Sequence, residues 1–291
     1  MRGGRREAGV ALLFLSPALL GFLVFFLWPT LRGFYLSLTE YSLLQPPEFI
    51  GLGNYQELVK DPQFWNSLKV TLEYVFINIG LQTTLALGLA VLLHRLTAST
   101  LLRGVVLLPY LIANVVVALL WYWMADYNLG VLNQVLGWLH ISPIAFFGDS
   151  NLAIPTIAFV NVWRHLGYTA LLIFAGLQTI PKDVYEAASM DGATEWQTFR
   201  RITMPLLRPV LFLVLMLTVI GSWQIFDTVA VTTRGGPVNA TRVIQYYIYD
   251  RAFTRYDFGY ASALSVVLFF ILAGVAFAQF RLMRADESDL G

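Results

Sequence analysis

The chain has 291 residues, 57% of them hydrophobic and 13% charged, with a formal net charge of +1. Soluble domains carry roughly a quarter charged residues, so this composition belongs in a bilayer rather than around a large water-facing core. The near-neutral balance gives no footprint for nucleic acid, and the lack of cysteine excludes disulfides, thiolate metal sites and cysteine nucleophiles.

A helix needs about 20 apolar residues to cross roughly 30 Å of hydrocarbon. Six stretches qualify, at about 10–28, 70–93, 104–124, 152–175, 209–230 and 259–280. They are apolar all round and lack the period-two alternation of barrel strands, which predicts an all-α, multi-pass membrane protein forming a single transmembrane domain. The first stretch follows Arg2, Arg5 and Arg6, as a signal peptide would. It is too long for one and runs on into "WPTLRGF" with no small-residue cleavage site, so it reads as a retained anchor.

Lys and Arg distribution sets the orientation. With the N-terminus inside, the inner segments hold eleven of these residues and the outer segments seven. The N-terminal cluster and an outer loop at 125–151 with no Lys or Arg favour N-in and C-in. Arg234, Arg242, Arg251 and Arg255 in the last outer loop run against it.

The longest inner connection, 177–207, lies between the fourth and fifth stretches and is a charged island in an apolar chain. Asp183 and Glu186 have the D-x-x-E spacing of a capping box. Tyr185, Ala188, Gly192, Trp196 and Phe199 are spaced as one helical face. Gly192 in that face either breaks the helix or admits another backbone, and Pro205 ends the segment. The pattern fits an interfacial helix on lipid headgroups as well as a short helix presented to a groove on a partner.

Polar and ionisable side chains inside spans are costly and therefore functional candidates. The second span carries Asn78 and Gln82, with Glu73 near its end; the fourth carries Asn161, Trp163, Arg164 and His165; the fifth carries Trp223, Gln224 and Asp227. Arg164 lies about 18 Å into its span, near the midplane. It is compatible with a solute contact and with a structural pair to Asp227. The histidines His94, His140 and His165 share no metal-ligand spacing, and no metal site is expected. No G-x-x-x-x-G-K-[ST] occurs, none of the three lysines (Lys60, Lys69, Lys182) follows a glycine, and no serine triad or carboxylate pair is present. No catalytic residue is assigned, and the chain is not expected to be an enzyme.

The island reads Glu186-Ala187-Ala188, three residues, Gly192, nine residues, Ile202, one residue, Met204-Pro205. This resembles the EAA loop of binding-protein-dependent ABC importer permeases, with Met204 replacing the usual leucine. The resemblance extends to "FIGLGNYQELVKDPQFWNSLKVTLEY" (49–74), "LLRGVVLLPYLIANVVVALLW" (101–121) with its internal Pro109, "TTRGGP" (232–237) with Arg234 where glycine is common, and "FGYASALSVVL" (258–268). It covers nearly the whole chain and points to the carbohydrate-uptake subfamily, which takes maltose-type oligosaccharides, other sugars and sn-glycerol-3-phosphate.

That resemblance implies a second permease subunit, as a heterodimer, two ATPase subunits that hold ATP and Mg, and an extracytoplasmic solute-binding protein. It implies the cytoplasmic (inner) membrane of a bacterium or archaeon. Glu186, Ala187, Ala188 and Gly192, with Asp191 and Pro205 in the same pattern, are then the coupling helix that docks on the ATPase. Asn78, Asn161, Trp163, Arg164, Trp223, Gln224 and Asp227 are candidates for a carbohydrate pathway, since sugars are held by aromatic faces and hydrogen-bonding side chains. An ion-gradient-driven secondary transporter or channel is the alternative; it predicts internal repeats and midplane carboxylates, and no such repeat is visible. A membrane scaffold is a further one.

Overall fold

A computed structural model describes residues 3–43, 45–96 and 99–283; Arg2 and Arg284 of the orientation argument lie outside the described residues, as do the side chains of Arg5 and Arg6. The chain divides into two compact units.

One unit comprises residues up to Pro62 together with Ile248–Ile271. It opens with α1 (Gly3–Phe22), a π-helical turn (Leu23–Leu27) and α2 (Trp28–Leu36). The chain itself covers none of the apolar window within Leu13–Leu36, so lipid or a partner must. Two short antiparallel strands follow, β1 (Thr39–Glu40) and β2 (Glu48–Phe49), with Thr39 opposite Phe49. Buried Asn54 in α3 (Gly53–Lys60) ties the end of α2 to β1 by donating to the carbonyls of Ser37 (3.0 Å) and Thr39 (2.9 Å). Tyr260 donates to Asp61 at 2.7 Å, and Arg251 lies over the Tyr260 ring. Gly259 runs against the Thr39 carbonyl, where any Cβ would collide with backbone.

The other unit comprises Gln63–Tyr247 with the chain from Leu272 onward. In order, its helices are α4 (Pro62–Leu96), α5 (Thr100–Leu111), α6 (Asn114–Met124), α7 (Val131–Trp138), α8 (Ala153–Gln178), α9 (Lys182–Met190), α10 (Glu195–Thr198), a π turn (Phe199–Thr203), α11 (Met204–Leu206), α12 (Arg208–Trp223), α13 (Asp227–Val231) and α14 (Ile244–Tyr249). A further π turn (Asp250–Thr254) and the first part of α15 (Phe258–Met283) belong to the first unit, and α15 from Leu272 onward belongs to this one. The core lies where α4, α8 and α12 meet: Ala86, Ala90, Ile173, Phe174, Leu177, Leu211 and Val214 are buried together. Small residues let helices approach where lipid offers no hydrophobic drive. Gly167 shows the limit, since a Cβ there would overlap the Val106 carbonyl of α5.

Among the described residues, five helices are long and apolar enough to cross a membrane, or six if the bent pair α5–α6 is one span. The third span expected at 104–124 is a bent pair: α5 and α6 meet at 87° across Ile112 and Ala113. Pro109 removes one donor from the helical ladder just before the break. The fifth span is also interrupted, at Gln224–Phe226.

Candidate functional site

Both interruptions open on one cavity of about 380 Å³. α4 contributes Tyr74, Asn78 and Gln82; the α5–α6 break contributes Tyr110 and Asn114; α8 contributes Asn161, His165, Tyr168 and Thr169; the α12–α13 break contributes Ser222, Gln224, Phe226 and Asp227. The wall combines amide, hydroxyl and aromatic groups with the aliphatic side chains of Leu172, Val214, Leu217 and Ile225. Tyr110 and Tyr168 stack with ring centroids 4.4 Å apart.

The polar groups hold one another. Asn78 donates to Gln82 Oε1 (3.1 Å) and Ser222 Oγ (2.9 Å), Gln82 donates to Thr169 (2.8 Å), and Asn161 donates to Thr228 (3.1 Å). One acceptor remains: Asn78 Oδ1 is buried and has no hydrogen-bond partner among the described residues, although the residue is only 4% exposed. Such an acceptor costs about 1–3 kcal/mol unless something donates to it.

Of the residues expected to line a pathway, Asn78, Asn161, Gln224 and Asp227 face the cavity. Three do not. Trp163 is 38% exposed and its ring meets the edge of Trp121; Trp223 is 4% exposed, packed behind the wall. Arg164 turns away to donate to the carbonyls of Ile112 and Tyr110 (both 3.1 Å) and to His165 Nε2 (3.0 Å). The Arg164–Asp227 pair does not form; Asp227 Oδ2 accepts from Asn114 instead (3.1 Å). The reason is the break itself, whose freed carbonyls need donors more than Asp227 does in a polar wall.

His165 is fixed by the same contacts. A carbonyl only accepts and a guanidinium only donates. Nδ1 therefore gives its proton to the Asn161 carbonyl (2.9 Å), Nε2 accepts from Arg164, and the ring is neutral. The aromatic surface of the cavity comes from Tyr74, Tyr110, Tyr168 and Phe226, which sequence reasoning did not single out. The available signal was that these tyrosines lie inside spans rather than in an interfacial belt.

The second site is the segment between α8 and α12. The expected capping box at Asp183 is corrected: α9 starts at Lys182 behind Pro181, and Asp183 lies in its first turn without capping it. The capping box belongs to Thr194 and Gln197, which open α10. The expected single face from Tyr185 to Phe199 is divided at Gly192, whose φ is +74°. Gly192 N–H reaches the Ser189 carbonyl and Ala193 N–H the Ala188 carbonyl, the paired bonds of a Schellman stop. Glu186, Ala187, Asp191 and Gly192 are exposed. Ala188 is 6% exposed and faces inward, so its small size serves packing within this chain. Pro205 sits in α11, half-buried.

A membrane chain of interrupted helices around a polar cavity is built as a permease. Residues 82–284 match the family described as binding-protein-dependent transport system inner membrane component, and the chain belongs to that family. It is 34% identical to the trehalose/maltose transport system permease protein MalF of Thermococcus litoralis, over 96% of this chain and 95% of that one. It is also 34% identical to the sulfoquinovosyl glycerol transport system permease protein SmoG of Agrobacterium fabrum (96% and 91%) and 30% identical to the sn-glycerol-3-phosphate transport system permease protein UgpA of Pectobacterium atrosepticum (96% and 95%). The fold is that of a chain in the crystal structure of a bacterial alginate ABC transporter in complex with an alginate pentasaccharide-bound periplasmic protein, with a TM-score of 0.86 at 21% identity over 96% of this chain and 95% of that one. The protein is a multi-pass inner-membrane permease component of an ABC importer.

Proposed function

We propose that this permease passes a carbohydrate through the cavity between α4, α8 and the two breaks. The observation that carries the reading is the wall itself: amides and hydroxyls that donate and accept, beside stacked tyrosines. The relatives named above for trehalose/maltose, sulfoquinovosyl glycerol and sn-glycerol-3-phosphate support that class.

The chain crosses the membrane six times with both ends in the cytoplasm. It pairs with a second permease subunit, and an extracytoplasmic solute-binding protein delivers the solute. This chain itself holds no cofactor; two ATPase subunits bind ATP with Mg and dock on the exposed residues of the Glu186–Gly192 segment, which acts as the coupling helix. Closure of the ATPases moves that segment and switches the side on which the cavity opens. Each state must differ in its interaction with ATPase and solute, since without that difference no energy is transmitted.

Uptake of labelled carbohydrates into proteoliposomes holding the whole importer tests this. Uptake that requires ATP and the binding protein is expected. Uptake that persists without ATP and collapses with an ionophore favours the ion-gradient alternative instead. For the docking, Glu186→Arg with Gly192→Trp is expected to lose the ATPase on co-purification while the permease pair survives.

A further inference from the structure

The two breaks that open on the cavity are joined to each other. α5 ends at Leu111, Ile112 and Ala113 are extended (ψ 138° and 137°), and α6 begins at Asn114. α12 ends at Trp223 and, after Gln224–Phe226, α13 begins at Asp227. Asn114 and Asp227 thus hold the same place, the first residue after a break. Their side chains meet at 3.1 Å, and α6 packs along α13.

The first half of the third span is held differently. The break takes the carbonyls of Tyr110 and Ile112 out of the helical ladder, which is costly in hydrocarbon. The Arg164 fork supplies both donors from α8, and its third bond rests on the neutral His165 ring, itself tied to the Asn161 carbonyl. A guanidinium can serve three acceptors in one plane; an ammonium on a shorter stem cannot hold that geometry.

We propose that Arg164 and Asp227 are positioning residues rather than solute ligands. Arg164 fixes the first half of the broken third span on α8. Asp227, through Asn114, locks the second halves of the third and fifth spans into one body beside the cavity. The inference rests on the transport reading above and adds the joint that makes the two broken spans respond together.

The test uses the complete importer in lipid. Asn114→Ala and Asp227→Ala are each expected to lower the maximal uptake rate about tenfold, the double variant no further, and the exchange Asn114→Asp with Asp227→Asn to recover most of it. Arg164→Lys is expected to be as impaired as Arg164→Gln, because the fork and not the charge is needed. Multiplying losses with no recovery on exchange, or full activity with lysine at 164, would mean that these groups act on the solute and would overturn the proposal.

A readout independent of the solute separates this from the transport reading. The chain has no cysteine, so spin labels on Trp123→Cys in α6 and Val231→Cys in α13 are specific to them within it. The distance distribution is expected to be narrow and to broaden with Asp227→Ala. A distribution that stays narrow overturns the joint even if uptake is lost. A broadened one with no carbohydrate uptake by the unaltered importer leaves the joint standing and removes the transport reading.

Discussion

In the cavity wall, Asn78 reaches Ser222 across 144 positions of chain and Gln82 reaches Thr169 across 87. Between α8 and α12 the bonds that stop α9 and start α10 join residues three to five apart: Thr194 to Gln197, Gly192 to Ser189, Ala193 to Ala188. The wall is a tertiary object that exists only once α4, α8 and the two interrupted pairs have packed. The segment between α8 and α12 is written locally, and Glu186, Ala187, Asp191 and Gly192 on it are exposed. One region holds its polar groups inward against cost, and the other can leave them to water.

The difference can be broken from the packing side first. Gly167→Val forces a branched side chain into the Val106 backbone and should cost about 3 kcal/mol, the upper end for overpacking. Size-exclusion of the solubilised importer should show little monodisperse complex. Gly192→Val attacks the local region instead: a β-branched residue at φ +74° should cost about 2 kcal/mol and weaken co-purification of the ATPase, while Gly192→Asn should keep it.

Asn78→Leu separates function from stability inside the wall. It removes two bonds and one unsatisfied acceptor but leaves Gln82 Oε1 without its donor, one buried acceptor exchanged for another, so melting of the complex should move little while uptake falls about tenfold. A large melting shift with normal uptake would show that Asn78 is only mortar. The smallest effect is expected from Arg95→Ala. Its 2.6 Å pair with Glu195 links α4 to α10, but the side chains are 49% and 83% exposed, so its loss should cost less than about 0.5 kcal/mol and nothing at high salt. Melting at two ionic strengths would check it.

The same contrast sets what the sequence reveals. The turn between α9 and α10 was legible because its signals are local, a glycine that adopts positive φ and the fixed spacing around it; Pro205, expected to end the segment, instead lies inside α11 and the helical run continues to Leu206. The capping box was misplaced by about ten residues because D-x-x-E and T-x-x-Q compete as start signals and Pro181 already supplied the N-terminus of α9. Six apolar stretches were legible from length alone. The faces of those stretches were not. A helix that is apolar all round carries no marking of which side meets protein, so Trp163 and Trp223 could not be told from Tyr110 and Tyr168. The break at Ile112 was invisible for a related reason: the donors that make it tolerable come from Arg164, fifty residues away in sequence.

α4 runs from Pro62 to Leu96 without interruption, about 52 Å of helix where roughly 30 Å would cross the hydrocarbon. Near one end Asn66 donates to the Asn239 carbonyl of the Gly-Gly-Pro loop, and near the other Leu93 is buried in one cluster with Leu177, Ile180 and Leu207, beside the segment between α8 and α12. Those two contacts stand about 40 Å apart along one uninterrupted helix. A tilt of about 5° applied at the Leu93 end therefore sweeps the Asn66 end through about 3.5 Å, more than the diameter of a water molecule. Leverage of that kind needs no relay of side chains between the two faces of the membrane, only a helix that does not bend.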